Sequence, residues 1–195
     1  MTAPESDVFR MAVWRLHRAK DAAYRDAWKK RGEVMSIMAN LARKVDRLEY
    51  VSAGAPVTRD ESLFDTVVDL LVYGLKYQTY LADQSGAVAD TLFGGSGLAR
   101  PYSDGLNGFE ALLNYLDLTS FDAADGPDPA RATRRVLTSF ADLETCFEGR
   151  QASVSRRSEC TVVLTQAVVT LLGVLRREAP EPYRAFLTTY SGKTA

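Results

Sequence analysis

An all-α fold, organised as a helical bundle, is the class that this sequence of 195 residues predicts. Apolar residues recur at three- and four-residue intervals along most of the chain, which is the period of an amphipathic helix. Glycine and proline fall mainly between these stretches, where helices begin and end. Neither an internal repeat nor a low-complexity segment interrupts the pattern. These observations favour helices packed around a shared core.

The N-terminal half predicts three helices. The first runs from Ser6 to about Lys30, and Gly32 separates it from a second that ends near Val51. Residues 52–59 contain glycine and proline and are therefore predicted to form a loop. The third helix follows Thr58 or Asp60 as its cap and continues to about residue 83 with a broad apolar surface.

A glycine-rich stretch at 94–97, followed by Pro101, predicts a joint between two parts of the chain. The predicted organisation is a helical core at 1–93, a linker at 94–105 and a C-terminal helical region at 106–195 packed on that core. Three helices are predicted beyond the joint, at 106–118, 129–147 and 159–178.

The Val/Thr-rich run at 161–170 fits either a strand or a helix. We predict a helix because the segment is long and because Pro180 and Pro182 follow it as a stop signal. The apolar surface of residues 160–175 then serves either as the core of the C-terminal half or as the interface of a homo-oligomer.

Charge and composition narrow the class of partner. The 24 basic and 25 acidic residues leave a formal net charge of -1, so no overall field favours a nucleic acid polymer or an anionic membrane.

The N-terminus lacks the apolar region of a signal peptide. The apolar run at 160–175 is shorter than the roughly 20 residues that span a bilayer. Cys146 and Cys160 are predicted to be buried thiols in a reducing, cytoplasmic location.

An acidic row on the third predicted helix is the strongest functional signal. Glu61, Asp65 and Asp69 follow each other at four-residue spacing and therefore share one face. Like charges one turn apart repel each other, so a positive group should lie nearby. One interpretation is a divalent cation, Mg²⁺ or Mn²⁺, held by the three carboxylates. The other is a ladder of ion pairs across a helical hairpin, with Arg47 opposite Asp65 and Lys44 opposite Asp69.

Several side chains near this row are candidates for substrate binding. Asn40 lies one turn before Lys44 and could offer its amide to a base or a ribose. Trp28, with Tyr24, and Tyr73 could stack on a nucleobase. The alternative for each aromatic residue is a place in the core. The single histidine, His17, has no identifiable partner in the sequence and is predicted to lie on the surface.

These residues resemble a known family. The resemblance is carried by Lys20, Tyr24, Trp28, Arg31-Gly-Glu33, Asn40, Lys44-Val-Asp46-Arg47-Leu, Asp60-Glu61-Ser, Asp65-Thr, Asp69-Leu and Tyr73. In this order they resemble the nucleotide-modification-associated domains of phages and bacteria, which are similar to the all-α nucleoside triphosphate pyrophosphohydrolases of the MazG and dUTPase type. The similar stretch covers about residues 17–83.

The resemblance implies a MazG-like helical core that hydrolyses a (deoxy)nucleoside triphosphate with Mg²⁺ or Mn²⁺. Glu61, Asp65 and Asp69 would hold the metal, Asp65 and Asp69 would be catalytic, and Lys44 and Arg47 would contact phosphates. The MazG pattern also has an E-x-x-E motif on the preceding helix, which this chain lacks. A non-catalytic interaction or nucleotide-sensing module of a phage or defence system is therefore the alternative function.

Overall fold

A computed structural model of the chain describes residues 4–54, 62–148 and 152–190, and these ranges are helical without strands. The α-helices of the described ranges are α1 (Glu5–Tyr24), α2 (Ala39–Ser52), α3 (Leu63–Gln84), α4 (Gly86–Phe93), α5 (Asn107–Tyr115), α6 (Thr119–Asp122), α7 (Pro129–Thr145), α8 (Val154–Glu178) and α9 (Pro180–Tyr190). A 3₁₀ turn at Arg25–Trp28 and a π-helical segment at Glu33–Met38 connect α1 to α2. The predicted all-α bundle is confirmed.

Helices α3 and α8 form the centre of the bundle. Helix α3 packs between α2 and α8, and α8 packs between α3 and α7. Both helices are apolar on more than one side, as a helix surrounded by others must be. Among the described residues, α8 alone is long and apolar enough to qualify as a membrane span, but 67% of its apolar window is buried inside the bundle. The Val/Thr-rich run of α8 is therefore helical, as predicted, and most of it is buried in the core, which was one of the two alternatives for its apolar surface.

An aromatic cluster joins the two ends of the chain to this centre. Phe9 of α1 stacks on Phe121 of α6 with ring centroids 4.5 Å apart. Phe64 of α3 lies 5.5 Å from Tyr183 and 5.6 Å from Phe186, both on α9. Aromatic pairs at these distances add about 0.5–1.5 kcal/mol each beyond the burial of their area. The cluster fixes α1 and α9 beside the N-terminal end of α3.

The first predicted helix ends earlier than expected. The prediction of one helix to Lys30 is wrong, because α1 stops at Tyr24 and Arg25 adopts a left-handed φ of 43°. The periodic alanines of this stretch, including Ala23 and Ala27, face solvent and so gain little from continuing the helix. The 3₁₀ turn instead brings Trp28 into the core, where it is 8% exposed.

Proline also has a different role from the predicted one at the C-terminus. Helix α8 ends at Glu178, as expected, but Pro180 then begins α9 instead of leaving the chain non-helical. A proline suits the first turn of a helix, because the N–H group that it lacks would have no partner there.

The short helices α4 and α6 were not predicted from the sequence. Helix α8 begins five residues before the predicted start, with Ser153 Oγ accepting from Arg156 N at 3.1 Å.

Hydrogen bonds hold the stretch between α4 and α5 against α3. Asp83 accepts hydrogen bonds from Tyr102 N at 2.7 Å and from Ser103 N at 3.0 Å. Lys29 Nζ donates to Ser103 Oγ at 2.8 Å. These bonds place the predicted linker against the turn that follows α1.

A buried ion pair joins the π-helical segment to α8. Glu33 Oε1 lies 2.9 Å from Arg157 Nε, and their side chains are 14% and 8% exposed. Tyr77 of α3 donates its hydroxyl hydrogen to the same carboxylate oxygen. Burial, and then the Glu33 carboxylate, raise the pKa of Tyr77. Three segments therefore meet at one carboxylate.

We expect Glu33→Ala to lower the free energy of unfolding by about 3–5 kcal/mol, because it leaves the Arg157 guanidinium buried without its anion. Urea unfolding at neutral pH measures the loss. Glu159→Ala is the matched control, since Glu159 is 66% exposed in its pair with Arg156 and should change stability little. Equal losses in the two variants would contradict the importance of the buried pair.

Candidate functional site

Asp69 is the centre of a cluster of charges between three helices. Lys44 Nζ of α2 lies 2.7 Å from Asp69 Oδ2, and Lys20 Nζ of α1 donates to Asp69 Oδ1. The Asp69 side chain is 16% exposed and that of Lys44 is 10% exposed, whereas Lys20 is 39% exposed. The Lys44–Asp69 pair is the one that the ion-pair ladder predicts. Both oxygens of Asp69 are engaged by ammonium groups.

These ammonium groups determine the charge state of Asp69. Burial acts to raise the pKa of Asp69, but the charges and hydrogen bonds of Lys20 and Lys44 outweigh burial and lower it. Asp69 is therefore ionised at neutral pH. Among the described residues, one carboxylate thus faces two ammonium groups.

Asp65 caps its own helix. Ser62 Oγ accepts from Asp65 N at 3.0 Å, and Asp65 Oδ2 accepts from Ser62 N at 3.2 Å. Ser62 Oγ also donates to Asp65 Oδ2 at 2.7 Å. This reciprocal arrangement is a capping box, and it satisfies backbone N–H groups that a helix start leaves unpaired. Asp65 is directed to the start of α3 by these bonds.

The described carboxylates do not fit a magnesium site as they stand. Both oxygens of Asp69 face lysines, and Asp65 Oδ2 is held in the capping box. Within the described ranges, no three side chains of the metal-binding types come together. Glu61, the third predicted ligand, lies outside the described residues. Metal binding by this row stays a prediction.

Arg47 lies one turn beyond Lys44 on α2 and is half-buried. The ladder also predicts a pair between Arg47 and Asp65, and both residues are described. This prediction is wrong, because no ion pair joins the two and the Asp65 carboxylate is bound in the capping box instead. The predicted contact of Arg47 with phosphate stays a prediction.

Two cavities lie on either side of the Lys20–Asp69 pair, and Lys20 lines both. The first has a volume of about 350 Å³ and is bounded by the acidic row and by α9, which contributes Phe186 and Tyr190. Asp65 and Asp69 both line it. The second has a volume of about 240 Å³ and lies among α1, the 3₁₀ turn, α2 and α3. We call the second the tryptophan cavity; its lining side chains are Lys20, Tyr24, Arg25, Ala27, Trp28, Asn40, Val72, Tyr73 and Lys76.

The tryptophan cavity brings together three predicted binding residues from separate segments. Trp28, Asn40 and Tyr73 all line it. The Asn40 amide is partly engaged, because Nδ2 donates to Ser36 O at 2.7 Å and Oδ1 accepts from Arg43 at 3.2 Å. Burial, and then the Asp69 charge, raise the pKa of Tyr73, so its phenol is neutral at physiological pH.

The sequence did not identify Lys76, which is the least expected residue of this cavity. Lys76 is 7% exposed, and its ammonium lies 5.1 Å from the centroid of the Trp28 ring. No carboxylate of the described residues forms an ion pair with it. Burial lowers the pKa of Lys76 to about 8; Asp21 and Asp26 act against this shift, and Lys20 and Lys29 reinforce it. A buried cation without an ion-pair partner is suited to an anionic ligand.

One signal in the sequence points to Lys76. It stands between apolar residues of the third predicted helix, in the run Leu75-Lys76-Tyr77. It also follows Asp69 and Tyr73 at helical spacing, so the three share a face. A lysine on a buried helical face is uncommon unless it has a partner or a function.

The prediction that His17 lies on the surface is wrong. His17 is fully buried, and its ring stacks on that of Phe109 with centroids 3.7 Å apart. Neither ring nitrogen has a hydrogen-bond partner among the residues that the structure describes. Burial, and then the Lys76 charge, lower the pKa of His17 to about 3, so the imidazole is neutral at physiological pH. His17 therefore adds no positive charge beside Lys76.

Comparisons with protein-family models, with curated proteins and with solved structures return no match. The function of the chain is therefore inferred from the geometry of the charged cluster and its two cavities. Chemically, the lysines offer donors to an anion, and the aromatic side chains offer surfaces to a planar ring.

We expect Asp69→Asn to lower the free energy of unfolding at pH 7 by about 3 kcal/mol, because it removes the carboxylate charge that both Lys44 and Lys20 contact. The folded-state pKa of Asp69 is lowered, so its stabilisation is present above the ordinary carboxyl pKa of about 3.9 and is lost as pH falls below it. The difference between wild type and variant should therefore shrink in the acid range. Urea unfolding from pH 7 to pH 3 measures this.

Asp90→Asn is the control, because Asp90 is exposed on α4. It should match wild type at every pH. A deficit in Asp69→Asn that stays constant down to pH 3 would contradict the assigned charge of Asp69.

Proposed function

We propose that the protein binds a nucleotide in the tryptophan cavity and that binding, rather than catalysis, is its primary activity. The observation that carries the proposal is the meeting of Trp28, Asn40 and Tyr73 with two lysines, Lys20 and Lys76, in one cavity. A nucleotide combines a planar ring with an anionic phosphate, and these side chains offer complementary groups to both.

The charges of the cavity support an anionic ligand. Lys20, Lys76 and Arg25 line it, and Asp69, the carboxylate nearest to Lys20, is shared with Lys44. A phosphate beside Lys76 would supply the ion-pair partner that this ammonium lacks among the described residues. Charge-assisted hydrogen bonds of this kind are stronger than neutral ones.

The aromatic side chains support a planar group. Trp28 is buried against the cavity, while Tyr24 is 69% exposed and Tyr73 is half-buried. Stacking of a base on such rings contributes about 1–3 kcal/mol by alanine substitution. Asn40 lies at the same cavity and could exchange its bond with Arg43 for one to the base.

The sizes of the cavities support a ligand that extends past Lys20. About 240 Å³ is small for a whole nucleotide, since ligand pockets commonly have about 300–1,000 Å³. The neighbouring cavity of about 350 Å³ shares Lys20. We place the base and sugar in the tryptophan cavity, the first phosphate between Lys76 and Lys20, and any further phosphates past Lys20 toward the neighbouring cavity. The proposal includes a cytoplasmic location, because free nucleotides occur there. Assembly into a homo-oligomer stays a prediction.

Hydrolysis of a (deoxy)nucleoside triphosphate is the second candidate function. It is favoured by the position of Asp65 and Asp69 in the cavity toward which the phosphates would extend. Magnesium would serve there to neutralise phosphate oxygens and polarise the phosphorus. The described carboxylates are engaged by other groups, so no step of this reaction is assigned to them.

We expect nucleotides to change the fluorescence of Trp28. In a Trp14→Phe background, Trp28 is the sole tryptophan of the chain. Titration with each ribo- and deoxyribonucleotide then gives a dissociation constant. Lys76→Met in this background should weaken binding roughly ten- to hundredfold, because a charge-assisted bond contributes about 1.5–3 kcal/mol. Lys30→Met is the control, because Lys30 is exposed and lies two positions after Trp28 in sequence. It should bind each nucleotide with the affinity of the parent.

Failure of every nucleotide to alter the emission or the melting temperature would remove the proposal. The same nucleotides, incubated with Mg²⁺ or Mn²⁺ and assayed for pyrophosphate, separate the two functions. Release of pyrophosphate assigns hydrolysis, and binding without release assigns the sensing module.

We expect nucleotide affinity to fall as pH rises above about 8. The free protein loses the Lys76 proton near this value, and only the protonated form attracts an anion. The second ionisation of a phosphate lies near pH 6, and adenine and cytosine do not titrate between pH 7 and pH 9.5, so an adenine or cytosine nucleotide keeps nearly the same charge over this range. Fluorescence titrations from pH 7 to pH 9.5 measure the effect. Lys76→Met should show a flat profile; a parallel decline in both proteins would assign the effect to another group.

A further inference from the structure

The two cysteines of the chain, Cys146 and Cys160, lie together in the structure. Their sulfur atoms are 3.9 Å apart, although the residues are 14 positions apart in sequence. Both are 5% exposed and unbonded to each other. They are located at the packed ends of α7 and α8, where Cys146 directly follows the last residue of α7 and Cys160 lies in the second turn of α8.

Small movements would bring the sulfurs into bonding distance. A disulfide requires a separation of about 2.05 Å, so the sulfurs need to approach by roughly 2 Å. Rotation about the Cα–Cβ bonds supplies movement of this size, because each rotamer change displaces Sγ by more than that. Cys146 also lies where the chain leaves α7, and a residue at a helix end adjusts its backbone more easily than one inside a helix.

We propose that Cys146 and Cys160 form a reversible intramolecular disulfide when the protein is exposed to a hydroperoxide. One thiol loses its proton, and its sulfur attacks a peroxide oxygen. The O–O bond breaks, a sulfenic acid forms, and the leaving oxygen takes up a proton to become an alcohol or water, which balances the proton that the thiol lost. The second sulfur then attacks the sulfenic sulfur, the S–O bond breaks and water leaves. Two thiols are oxidised by two electrons in total, and one peroxide is reduced.

The site is separate from the nucleotide cavity. Neither cysteine lines the tryptophan cavity or its neighbour. Cys146 also contacts the Asp142 carbonyl oxygen at 3.7 Å, within its own helix. Failure of one proposal therefore leaves the other intact, because nucleotide titration does not depend on the cysteines.

Peptide mapping tests the disulfide directly. Arg150, Arg156 and Arg157 lie between the two cysteines in sequence, so trypsin places them on different peptides. The full-length protein is treated with hydrogen peroxide, blocked with N-ethylmaleimide and digested. We expect a linked peptide containing both cysteines, lost on treatment with dithiothreitol, in protein that still migrates as a monomer on a non-reducing gel. We also expect the melting temperature to rise by a few degrees.

Cys146→Ser and Cys160→Ser are the matched controls. Each retains one thiol and should give either a sulfenic acid trapped by dimedone or a disulfide between chains, with no rise in melting temperature. Wild-type protein that yields only sulfinic acid or only inter-chain disulfides would overturn the proposal. So would wild-type protein in which both cysteines remain free for the maleimide after peroxide treatment.

Discussion

The carboxylate of Asp69 is the constraint on which the functional part of this molecule depends. It lies on α3 and is bound by lysines from two other helices, Lys20 on α1 and Lys44 on α2. A single anion thus fixes the spacing of three helices in a region where apolar packing alone would leave their rotation less defined. Because Lys20 is held there, it separates the two cavities and lines both. The position of the two cavities therefore depends on the ion pairs that this carboxylate forms with Lys20 and Lys44.

The charged side chains around Asp69 determine which class of ligand the site favours. Two lysines bind Asp69, and a third, Lys76, is buried beside Trp28 without an ion pair to any described residue. Burying a cation in this way costs stability, since an ammonium is strongly hydrated. The neutral state of His17 reduces the cost by keeping a further charge away from Lys76. A bound anion would remove most of the remaining cost.

Periodicity in the sequence predicted the helices that carry a continuous apolar stripe, and it failed where that stripe does not face the core. The alanines near the end of α1 have the helical period but face solvent, so the chain turns at Arg25 instead. The hairpin geometry correctly predicted the Lys44–Asp69 pair. It did not distinguish a cap from a metal ligand at Asp65, because both use a carboxylate at the start of a helix. Lys76 and His17 were missed because their burial depends on α5 and on the 3₁₀ turn, which are distant in sequence or irregular in shape.

The position of Glu33 bears on whether the site acts by binding or by hydrolysis. Enzymes of the MazG type pair an acidic motif on one helix with a second on the next, and the second predicted helix of this chain offers only Glu33, Asp46 and Glu49. Glu33 is taken by Arg157 and Tyr77, in a pair that joins the π-helical segment to α8. Asp46 and Glu49 are exposed and line neither cavity. Of these three described residues, Glu33 is thus engaged in holding the bundle together and the other two are directed to solvent, while lysines and aromatic residues line the cavity. Among the described residues, the groups that suit a nucleotide line the cavity and the carboxylates are engaged elsewhere, so this geometry favours the proposal of binding over that of hydrolysis.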